Sequence, residues 1–569
     1  MKSAKVLLIS VCLPFFTFSQ NRYDVVIDEI MADPTPQVGL PNNEWIELRN
    51  ISSSPVNLLG WRIADASSQS GPLPNFTLKP DSFVIVCNGG SLAAMSAFGN
   101  AISVASFPSL DNDGDQVCLR AANGSTIHAV AYSSSWYQNQ LKRDGGWTLE
   151  MIDVRSPCAG RTNWTASVSP TGGTPGSKNS VAAVNKDDLP PRLKYAYTID
   201  SVTVIAVFDE PIDSLAGATS GNYIIDGSLS IASAMPLAPL FNSIQLKLNT
   251  TLLINTVHTL TVSNLTDCAS NVIASANKAK IGLPEEAANQ DVVINEILFN
   301  PKSNGFDYVE FFNQSNKIID ASKLFAANRN STGDIASIKK IFPTPYYIFP
   351  GDYFVITEDA SSLQMNYLVK NPDGIIVLRS LPSYPDDEGD VILLNGQGDV
   401  IDEVRYKDDW HFKLIDDPEG VSLERIDPAG TSQYPANWHS AASTAGYGTP
   451  TYKNSQYKQT QQIAATIEIV PKTFSPDNDG HDDVTTIQYR VSEPGYIANI
   501  TIYDSQGRAI RYLVKNGTLG TSGLWNWDGL DESQKKLPIG IYIVYTEIFN
   551  LQGKTQHFKN AVVLARKLN

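Results

Sequence analysis

Residues 24–34 read DVVIDEIMADP, and residues 291–301 read DVVINEILFNP. Seven of the eleven positions are identical between these two stretches. Both begin with a run of β-branched residues, which is typical of a buried β-strand. An identity this high over a strand and the turn after it indicates that the chain contains one structural unit twice.

The sequence that follows each copy also matches, with an offset that stays between 263 and 275 residues. We therefore predict two complete domains, residues 21–180 and 288–455, which share one set of strands and differ in their loops. The matching pairs are EWIELRN (44–50) with DYVEFFN (307–313), LE (149–150) with LE (423–424), NW (163–164) with NW (437–438), and GTPGSKNS (173–180) with GTPTYKNS (448–455).

Composition favours an all-β protein built of several sandwiches. The chain has 569 residues, of which 42% are hydrophobic and 18% charged, so it is expected to fold, and its length suits about four domains. Its 38 glycines and 33 prolines punctuate short alternating runs, as in β-sandwiches. The net charge of −16 argues against a nucleic-acid partner, because that affinity rests on cationic side chains.

Residues 1–20 have the pattern of a secretory signal peptide. Lys2 and Lys5 precede an apolar run over residues 6–18, which is too short to span a bilayer. Cys12 lies inside that run and lacks a good lipidation motif before it, so we do not expect a lipid anchor. No other segment is long and apolar enough to cross a membrane, and we predict an exported protein without a transmembrane segment.

The exported chain keeps four cysteines. Cys87, Cys118 and Cys158 lie in the first repeat, and the second repeat has none, so the repeated fold does not need a disulfide. We expect one bridge among these three, with the pairing left open. Cys268 stands alone in its domain and is expected to be a small buried residue or a free thiol.

The first repeat resembles the lamin tail domain, an immunoglobulin-like β-sandwich of nuclear lamins and of many exported bacterial proteins. The resemblance rests on Glu29, on the strand EWIELRN (44–50), on the turn LLGW (58–61) and on LKP (78–80), in the family's order. The second repeat resembles the family less closely, because ASKL (321–324) replaces the LLGW turn. The resemblance implies an immunoglobulin-like sandwich for both repeats.

Residues 189–285 resemble the bacterial immunoglobulin-like repeats of surface-layer and cell-wall proteins. The motifs are FDEP (208–211), NY (222–223) and the strand LTVS (260–263), followed by Asp267 and Asn271. Residues 202–208 and 244–248 alternate apolar and polar side chains, which predicts half-buried strands. The resemblance implies a sandwich that acts as a spacer.

Residues 463–569 resemble the immunoglobulin-like sandwich of flagellar hook-capping proteins and the C-terminal signal domains of type IX secretion cargo. The motifs are FSPDNDGHDD (474–483), WNWDG (525–529), LPIGIY (537–542) and the tail VVLARKLN (562–569). The family loop carries asparagines where this chain has two of its acids, so this loop is more anionic. The resemblance implies export machinery as a partner.

The same loop is the best candidate metal site. Asp477, Asp479 and Asp483 are closely spaced around Gly480, and Ca²⁺ takes six to eight oxygen ligands of this kind. No glutamate follows at the EF-hand distance. The alternative is an acidic turn that is satisfied by water and its own amides. His481 is expected to point to solvent, because calcium prefers oxygen.

Candidate catalytic and glycan-binding residues are few. Glu47 and Glu310 sit in strands between apolar neighbours, where a carboxylate usually accepts from backbone donors or meets a cation, although paired acids can also act as acid and base. The six histidines are scattered and no nucleophile or phosphate-binding motif is present, so we predict no enzyme activity. Trp136, Tyr137 and Trp410 could stack on sugar rings.

The sequence therefore favours an all-β chain of tandem immunoglobulin-like sandwiches that is exported through its C-terminal domain. Its expected work is adhesion or scaffolding at the cell surface, toward an unknown surface protein or glycan. The alternative is an accessory binding subunit of an extracellular hydrolase or nuclease system, since bacterial lamin tail domains often accompany hydrolase domains.

Overall fold

The structure is a computed structural model, which describes residues 21–415, 417–458 and 465–566. The predicted signal peptide, with Cys12, lies outside the described residues. The described chain is built almost entirely of β-sheets, which confirms the predicted fold class. It forms two compact units, one of the described residues up to 251 with 259–279, and one of residues 252–258 with the described residues from 280 onward.

The first repeat is a sandwich in which a six-stranded sheet faces a three-stranded one. The six-stranded sheet has the order β11-β10-β1-β2-β6-β7, the three-stranded sheet has the order β4-β8-β9, and β3 pairs with β5. The strands are β1 Val25–Met31, β2 Trp45–Asn50, β3 Val56–Asn57, β4 Arg62–Ala64, β5 Thr77–Leu78, β6 Phe83–Asn88, β7 Ala101–Val104, β8 Gly114–Arg120, β9 Thr126–Ser133, β10 Leu149–Met151 and β11 Trp164–Ala166, with helices α1 Leu92–Met95 and α2 Gln140–Arg143.

The next sandwich has a four-stranded sheet of order β12-β13-β16-β15 and a three-stranded sheet of order β14-β17-β18. Side chains of β16 alternate between half-buried and buried, as the sequence predicted for this strand. The elements are β12 Leu193–Asp200, β13 Thr203–Phe208, α3 Ser214–Ala218, β14 Tyr223–Ile225, β15 Ile231–Pro236, β16 Ser243–Leu248, β17 His258–Val262 and β18 Lys278–Ile281.

The second repeat has the topology of the first. Its six-stranded sheet runs β26-β25-β20-β19-β29-β30, which is the strand order of the first repeat read from the other edge, and it faces a sheet of order β23-β22-β27-β28. The elements are β19 Val292–Leu298, β20 Tyr308–Asn313, β21 Ile319–Asp320, β22 Phe325–Arg329, β23 Ile335–Lys340, β24 Tyr347–Ile348, β25 Tyr353–Thr357, α4 Ala360–Asn366, β26 Ile375–Val377, β27 Glu388–Leu394, β28 Val400–Lys407, β29 Leu423–Arg425 and β30 Trp438–Ser440.

The C-terminal sandwich packs a three-stranded sheet of order β31-β33-β36 against a five-stranded sheet of order β32-β38-β37-β34-β35. Trp527, which the WNWDG motif supplies, is fully buried in its core beside Phe474 from the FSP motif, with ring centroids 5.3 Å apart. The strands are β31 Thr466–Val470, β32 Thr473–Phe474, β33 Thr485–Arg490, β34 Tyr496–Tyr503, β35 Ala509–Thr518, β36 Ser522–Trp527, β37 Gly540–Asn550 and β38 Thr555–Leu564.

The central strand of each repeat is buried on both faces. Every residue of β1 and of β19 is buried, because one face meets the opposing sheet and the other is also covered. The inward face of β1 contributes Ile27 and Ile30 to the main core. The outward face contributes Met31 to a smaller apolar cluster with Trp45 and Met95. A strand covered on both sides reads as a continuous apolar run, which explains why this stretch dominates the sequence pattern.

The disulfide prediction was wrong. Cys158 pairs with Cys268, with their Cα atoms 6.2 Å apart, while Cys87 and Cys118 are buried free thiols. The bridge joins the first repeat to the next sandwich. A pairing between two domains cannot be predicted when the cysteines of each domain are considered separately. In the same compact unit, Arg22 Nη1 donates to the carbonyl of Ile212 at 3.1 Å.

We expect the Cys158–Cys268 bridge to stabilise the first unit. Cross-linking residues 110 positions apart restricts the unfolded chain, and loss of a native disulfide typically costs about 2–4 kcal/mol. A Cys158→Ser, Cys268→Ser protein should therefore melt earlier in scanning calorimetry, in the transition of the first unit. Cys118→Ser serves as the matched control, and equal melting of the bridge variant and the wild type would contradict this expectation.

Candidate functional site

Three glutamates lie side by side on the central strands of the first repeat. Glu29 on β1 is the register partner of Glu47 on β2 and of Glu150 on β10. Directly paired residues share one face of a sheet, and all three side chains are fully buried. We call this set the first glutamate ladder.

The second repeat builds the same arrangement. Glu296 on β19 is the register partner of Glu310 on β20 and of Glu424 on β29, and all three are fully buried. We call this set the second glutamate ladder. Three adjacent buried carboxyl groups are costly unless hydrogen bonds or protons compensate them, so their partners decide what the ladders do.

The partners of the first ladder come from the segment after β11. Residues 173–181, which we call the first strap, donate a backbone N–H to each glutamate in turn, and the side chain of Ser180 adds a bond of 2.8 Å to Glu150. The backbone bonds run from Thr174 N to Glu29 Oε1 (2.8 Å), from Gly176 N to Glu47 Oε2, and from Val181 N to Glu150 Oε2 (3.1 Å).

The second strap, residues 448–456, repeats this pattern position for position. Thr449 also uses its hydroxyl, which lies 3.0 Å from Glu296 Oε2 and 2.8 Å from Glu424 Oε1. Each ladder therefore clamps the strap of its own repeat against the outward face of the sheet. The backbone bonds run from Thr449 N to Glu296 Oε1 (2.8 Å), from Thr451 N to Glu310 Oε2, and from Gln456 N to Glu424 Oε2 (2.8 Å).

The repeated glycine at the start of each strap is explained by close approach. A Cβ atom on Gly173 would lie 2.7 Å from Glu29 Oε1, and a Cβ atom on Gly448 would lie 2.7 Å from the hydroxyl oxygen of Tyr308. A side chain at either position would push the strap away from the ladder. The GTP motif thus combines a glycine that permits contact with a threonine that makes the first bonds.

Burial favours the protonated form of several ladder glutamates. Burial, together with the nearby Glu150, raises the pKa of Glu29 to about 8. Burial and the neighbouring Glu296 raise the pKa of Glu424 to about 8. The pKa of Glu47 is raised well above its ordinary value, again mainly by burial. Desolvation disfavours the charged form of an acid, and like charges nearby add to that effect.

These contacts confirm the prediction that Glu47 and Glu310 accept from backbone donors. That Glu29 and Glu150 would join them was not predicted from the sequence. The repeated LE dipeptide at 149–150 and 423–424 was the available signal, but pairing β1 with β10 requires knowledge of the sheet order.

The candidate calcium loop does bring its three acids together. Carboxylate oxygens of Asp477, Asp479 and Asp483 lie within 4.8 Å of one another. Amides of the loop also bond to these acids, including Gly480 N to Asp483 Oδ2 at 2.9 Å. The His481 side chain is 85% exposed, which confirms that it points to solvent.

A second acidic group lies in the first unit, where the sequence analysis singled out no metal ligands. Carboxylate oxygens of Asp187, Glu210 and Asp267 lie within 4.8 Å of one another, next to the Cys158–Cys268 bridge in sequence. Burial and the charges of Asp187 and Asp267 raise the pKa of Glu210 to about 8. Asp267 accepts from the backbone N–H and side-chain amide of Asn271.

The aromatic residues proposed as sugar platforms belong to the core. Trp136 and Tyr137 are buried in the first repeat, and Trp410 packs against the core of the second repeat. Trp136 and Trp410 stand beside Trp164 and Trp438 in the two repeats, with ring centroids 6.4 and 6.5 Å apart. The prediction that Trp136 and Tyr137 could stack on sugars was therefore wrong, because both side chains are buried; Trp410 is half-buried, and for it the prediction stays a prediction.

Comparison with known families agrees with this architecture. Residues 19–134 and 285–408 match the Lamin Tail Domain, and residues 468–564 match the CHU_C type IX secretion signal domain. The lamin tail matches end before the last ladder strand and the strap of each repeat. No curated protein matches the chain.

Among solved structures, the N-terminal part of the bacterial S-layer protein SbsC has 17% identity and a TM-score of 0.16, with 29% of this chain and 40% of that chain covered. PorZ of the type IX secretion system of Porphyromonas gingivalis has 10% identity and a TM-score of 0.17, with 80% and 56% covered. A Ca²⁺-stabilized ice-binding adhesin of an Antarctic bacterium has 8% identity and a TM-score of 0.12, with 96% and 100% covered. This chain spans about half of SbsC and PorZ, and these scores are too low to indicate a shared function.

The strands and the family matches together define a multidomain β-sandwich protein with an export domain at its C-terminal end. The chain contains two lamin tail domains and a CHU_C type IX secretion signal domain. It is an exported protein of the cell surface or the extracellular space. In the part of the chain that the structure describes, no helix has the length and apolar character needed to cross a bilayer. The family of residues 189–285 stays a prediction.

The hydrogen bonds between a ladder and its strap, which we call the clamp, can be tested with Glu424→Leu. This change leaves the backbone N–H of Gln456 and the hydroxyl of Ser455 without their acceptor in a buried site, while the hydroxyl of Thr449 keeps only Glu296. We expect a loss of about 3 kcal/mol in the free energy of unfolding of the second repeat, because each buried unpaired donor costs about 1–3 kcal/mol.

Urea unfolding followed by tryptophan fluorescence measures this loss. Glu468→Leu is the matched control, since Glu468 lies on β31 with an exposed side chain. A Glu424→Leu protein as stable as the control would show that the strap does not depend on the ladder.

Proposed function

We propose that this protein is a non-catalytic surface scaffold or adhesin, which presents its sandwiches to another surface protein or glycan after export. The C-terminal secretion domain supports the export step. The observation that carries the scaffolding role is that neighbouring sandwiches are fixed to each other within each unit by specific contacts. Fixed joints suit a protein that must hold surfaces at set distances.

The contacts within the second unit illustrate this support. The side-chain amide of Gln456, at the end of the second strap, donates to the carbonyl of Leu519 in the C-terminal sandwich at 3.0 Å. Ser443 Oγ donates to the carbonyl of Thr518 at 2.9 Å. Gly520 approaches Ser455 so closely that a Cβ atom there would lie 2.6 Å from the Ser455 carbonyl oxygen. These buried contacts leave little freedom at the joint.

The chemistry of the buried acids supports a non-catalytic role. A general acid or base must reach a proton of the substrate. The pKa values of Glu29, Glu47, Glu310 and Glu424 are raised, but the oxygens of these glutamates accept from the strap and their side chains are fully buried. Raised pKa values often mark active sites, and buried structural networks shift pKa values for the same reasons.

Export through the C-terminal domain can be tested by deleting residues 463–569 in the native host. We expect the shortened protein to remain inside the cell envelope, while the full-length protein reaches the surface or the medium. Immunoblots of cell, envelope and medium fractions measure the distribution. A protein with Glu468→Leu serves as a control for changes in this domain that preserve the signal. Unchanged secretion of the deletion would remove export from the proposal.

The adhesive part of the proposal is tested with the exported full-length protein. Cross-linking on intact cells should capture a surface protein, or a glycan array should show binding. Hydrolysis of DNA, phosphoesters or glycans by the purified protein would instead support the alternative of a hydrolase or nuclease subunit.

We further propose that the Asp477–Asp483 loop binds Ca²⁺. The three carboxylates already converge, and closely spaced acids with backbone carbonyls are the usual ligands of this ion. Calcium should raise the melting temperature of the C-terminal sandwich in the wild type, and EDTA should reverse the rise. Asp479→Asn should abolish the effect, while Asp482→Asn, which removes the same single charge from the same loop, should retain it. No calcium effect on the wild type would contradict the site.

A further inference from the structure

One buried position beside the ladders carries an acid in the first repeat and an amide in the second. Asp28 in the first repeat corresponds to Asn295 in the second, and each is the extra residue at a register shift between the first two ladder strands. Both side chains are buried, and Asp28 is fully so. The two residues have nearly the same shape, but an aspartate carboxylate cannot donate the hydrogen bonds that an asparagine amide donates.

In the second repeat, the amide of Asn295 completes the clamp. Its Nδ2 donates to Glu310 Oε1 at 2.8 Å and to Asn454 Oδ1 at 2.6 Å. The other oxygen of Glu310 accepts the strap amide of Thr451. Both oxygens of Glu310 therefore have a donor, one from the neighbouring strand and one from the strap.

In the first repeat, the corresponding donor is missing. Glu47 Oε2 accepts the strap amide of Gly176, as in the second repeat, but Glu47 Oε1 is buried without a hydrogen-bond partner. Both carboxylate oxygens of Asp28 are also buried without one. The nearest cation is Arg49, whose Nη1 lies 3.9 Å from Asp28 Oδ2 and whose Nη2 is engaged by Asp81 at 2.6 Å.

By this correspondence, the Asp28 carboxyl group takes the place beside Glu47 that the Asn295 amide has beside Glu310, and burial of two neighbouring acids favours a proton there. We propose that Asp28 carries a proton and donates it to Glu47 Oε1 in place of the Asn295 amide, so that the first strap is held more tightly at mildly acidic pH than at neutral pH. When this proton leaves for solvent, Asp28 becomes a buried carboxylate and Glu47 Oε1 loses its donor. The lost hydrogen bond then weakens the support of the Glu47 side chain that holds Gly176.

The charged surroundings agree with this assignment. Burial raises the pKa of Asp28 to about 7, with Arg49 opposing the rise and Glu150 and Asp81 adding to it. Groups from every packed strand face the pair: Glu29 from β1, Arg49 from β2, Glu150 from β10 and Asp81 from the turn before β6.

The sign of the pH effect follows from linkage. An acid whose pKa is higher in the folded state binds its proton more tightly there, so it stabilises the fold at low pH. That contribution is lost as the pH rises from about 4, the ordinary value, toward about 7, and no further loss is expected above that. Both straps rest on a buried glutamate ladder, so a comparison of the two straps in one protein reduces the contribution that the ladders share, and the reciprocal substitutions isolate the effect of Asp28.

Hydrogen exchange of the full-length protein provides the test. The strap amides of Thr174, Gly176 and Val181 are compared with those of Thr449, Thr451 and Gln456 in the same sample, which cancels the intrinsic pH dependence of exchange. In the wild type, the protection of the first strap relative to the second should rise by about tenfold for each pH unit as the pH falls from 7 to 5.

Two reciprocal substitutions decide the outcome. Asp28→Asn should give the first strap the higher protection at pH 7 and remove the change in the ratio between pH 7 and 5. Asn295→Asp should make the protection of the second strap rise as the pH falls, as the protection of the first strap does in the wild type. An unchanged ratio in the wild type between pH 5 and 7, or the same slope in Asp28→Asn, would overturn the proposal. Asp28→Asn alone suffices for this decision if Asn295→Asp does not fold.

Discussion

The hydrogen bonds between each glutamate ladder and its strap are the interaction on which both repeats depend. Each six-stranded sheet has two faces, and only one of them packs against a second sheet. The other face would leave the central strand open to solvent. Three buried carboxyl groups and the backbone amides of one segment close it, so the strap acts as a covering layer that has no strand of its own. Each of these strap amides meets a carboxyl oxygen of the ladder at a fixed spacing, which makes the pairing of strap and ladder specific.

This arrangement explains why the repeated motifs are so far apart in sequence. The first ladder needs Glu29, Glu47 and Glu150 on three strands, and its strap begins at Gly173. All four positions recur in the second repeat at matching offsets. The loops between them differ, because they contribute little to the clamp. Duplication has therefore preserved the hydrogen-bonded parts and allowed the connections to vary.

The sequence was sufficient for the architecture but not for the contacts between distant segments. Alternation, β-branched runs and repeated motifs predicted the sandwiches and the backbone-accepting role of Glu47, because these are local properties. The convergence of Glu150 on Glu29 depends on sheet order, which periodicity does not contain. The partner of Cys158 lies in another domain, so counting cysteines by domain led to the wrong pairing. Trp136 was misjudged because exposure depends on what packs over a turn.

The link between Cys158 and Cys268 also changes how the first unit would bear mechanical load. When force is applied between the start of the first repeat and the residues after Cys268, the disulfide bond transmits it from Cys158 to Cys268. Residues 159–267 are then a side loop that carries no tension, and this loop includes β11, the first strap and most of the next sandwich. A surface protein under shear from flowing liquid could stretch elsewhere while this segment stayed slack and folded.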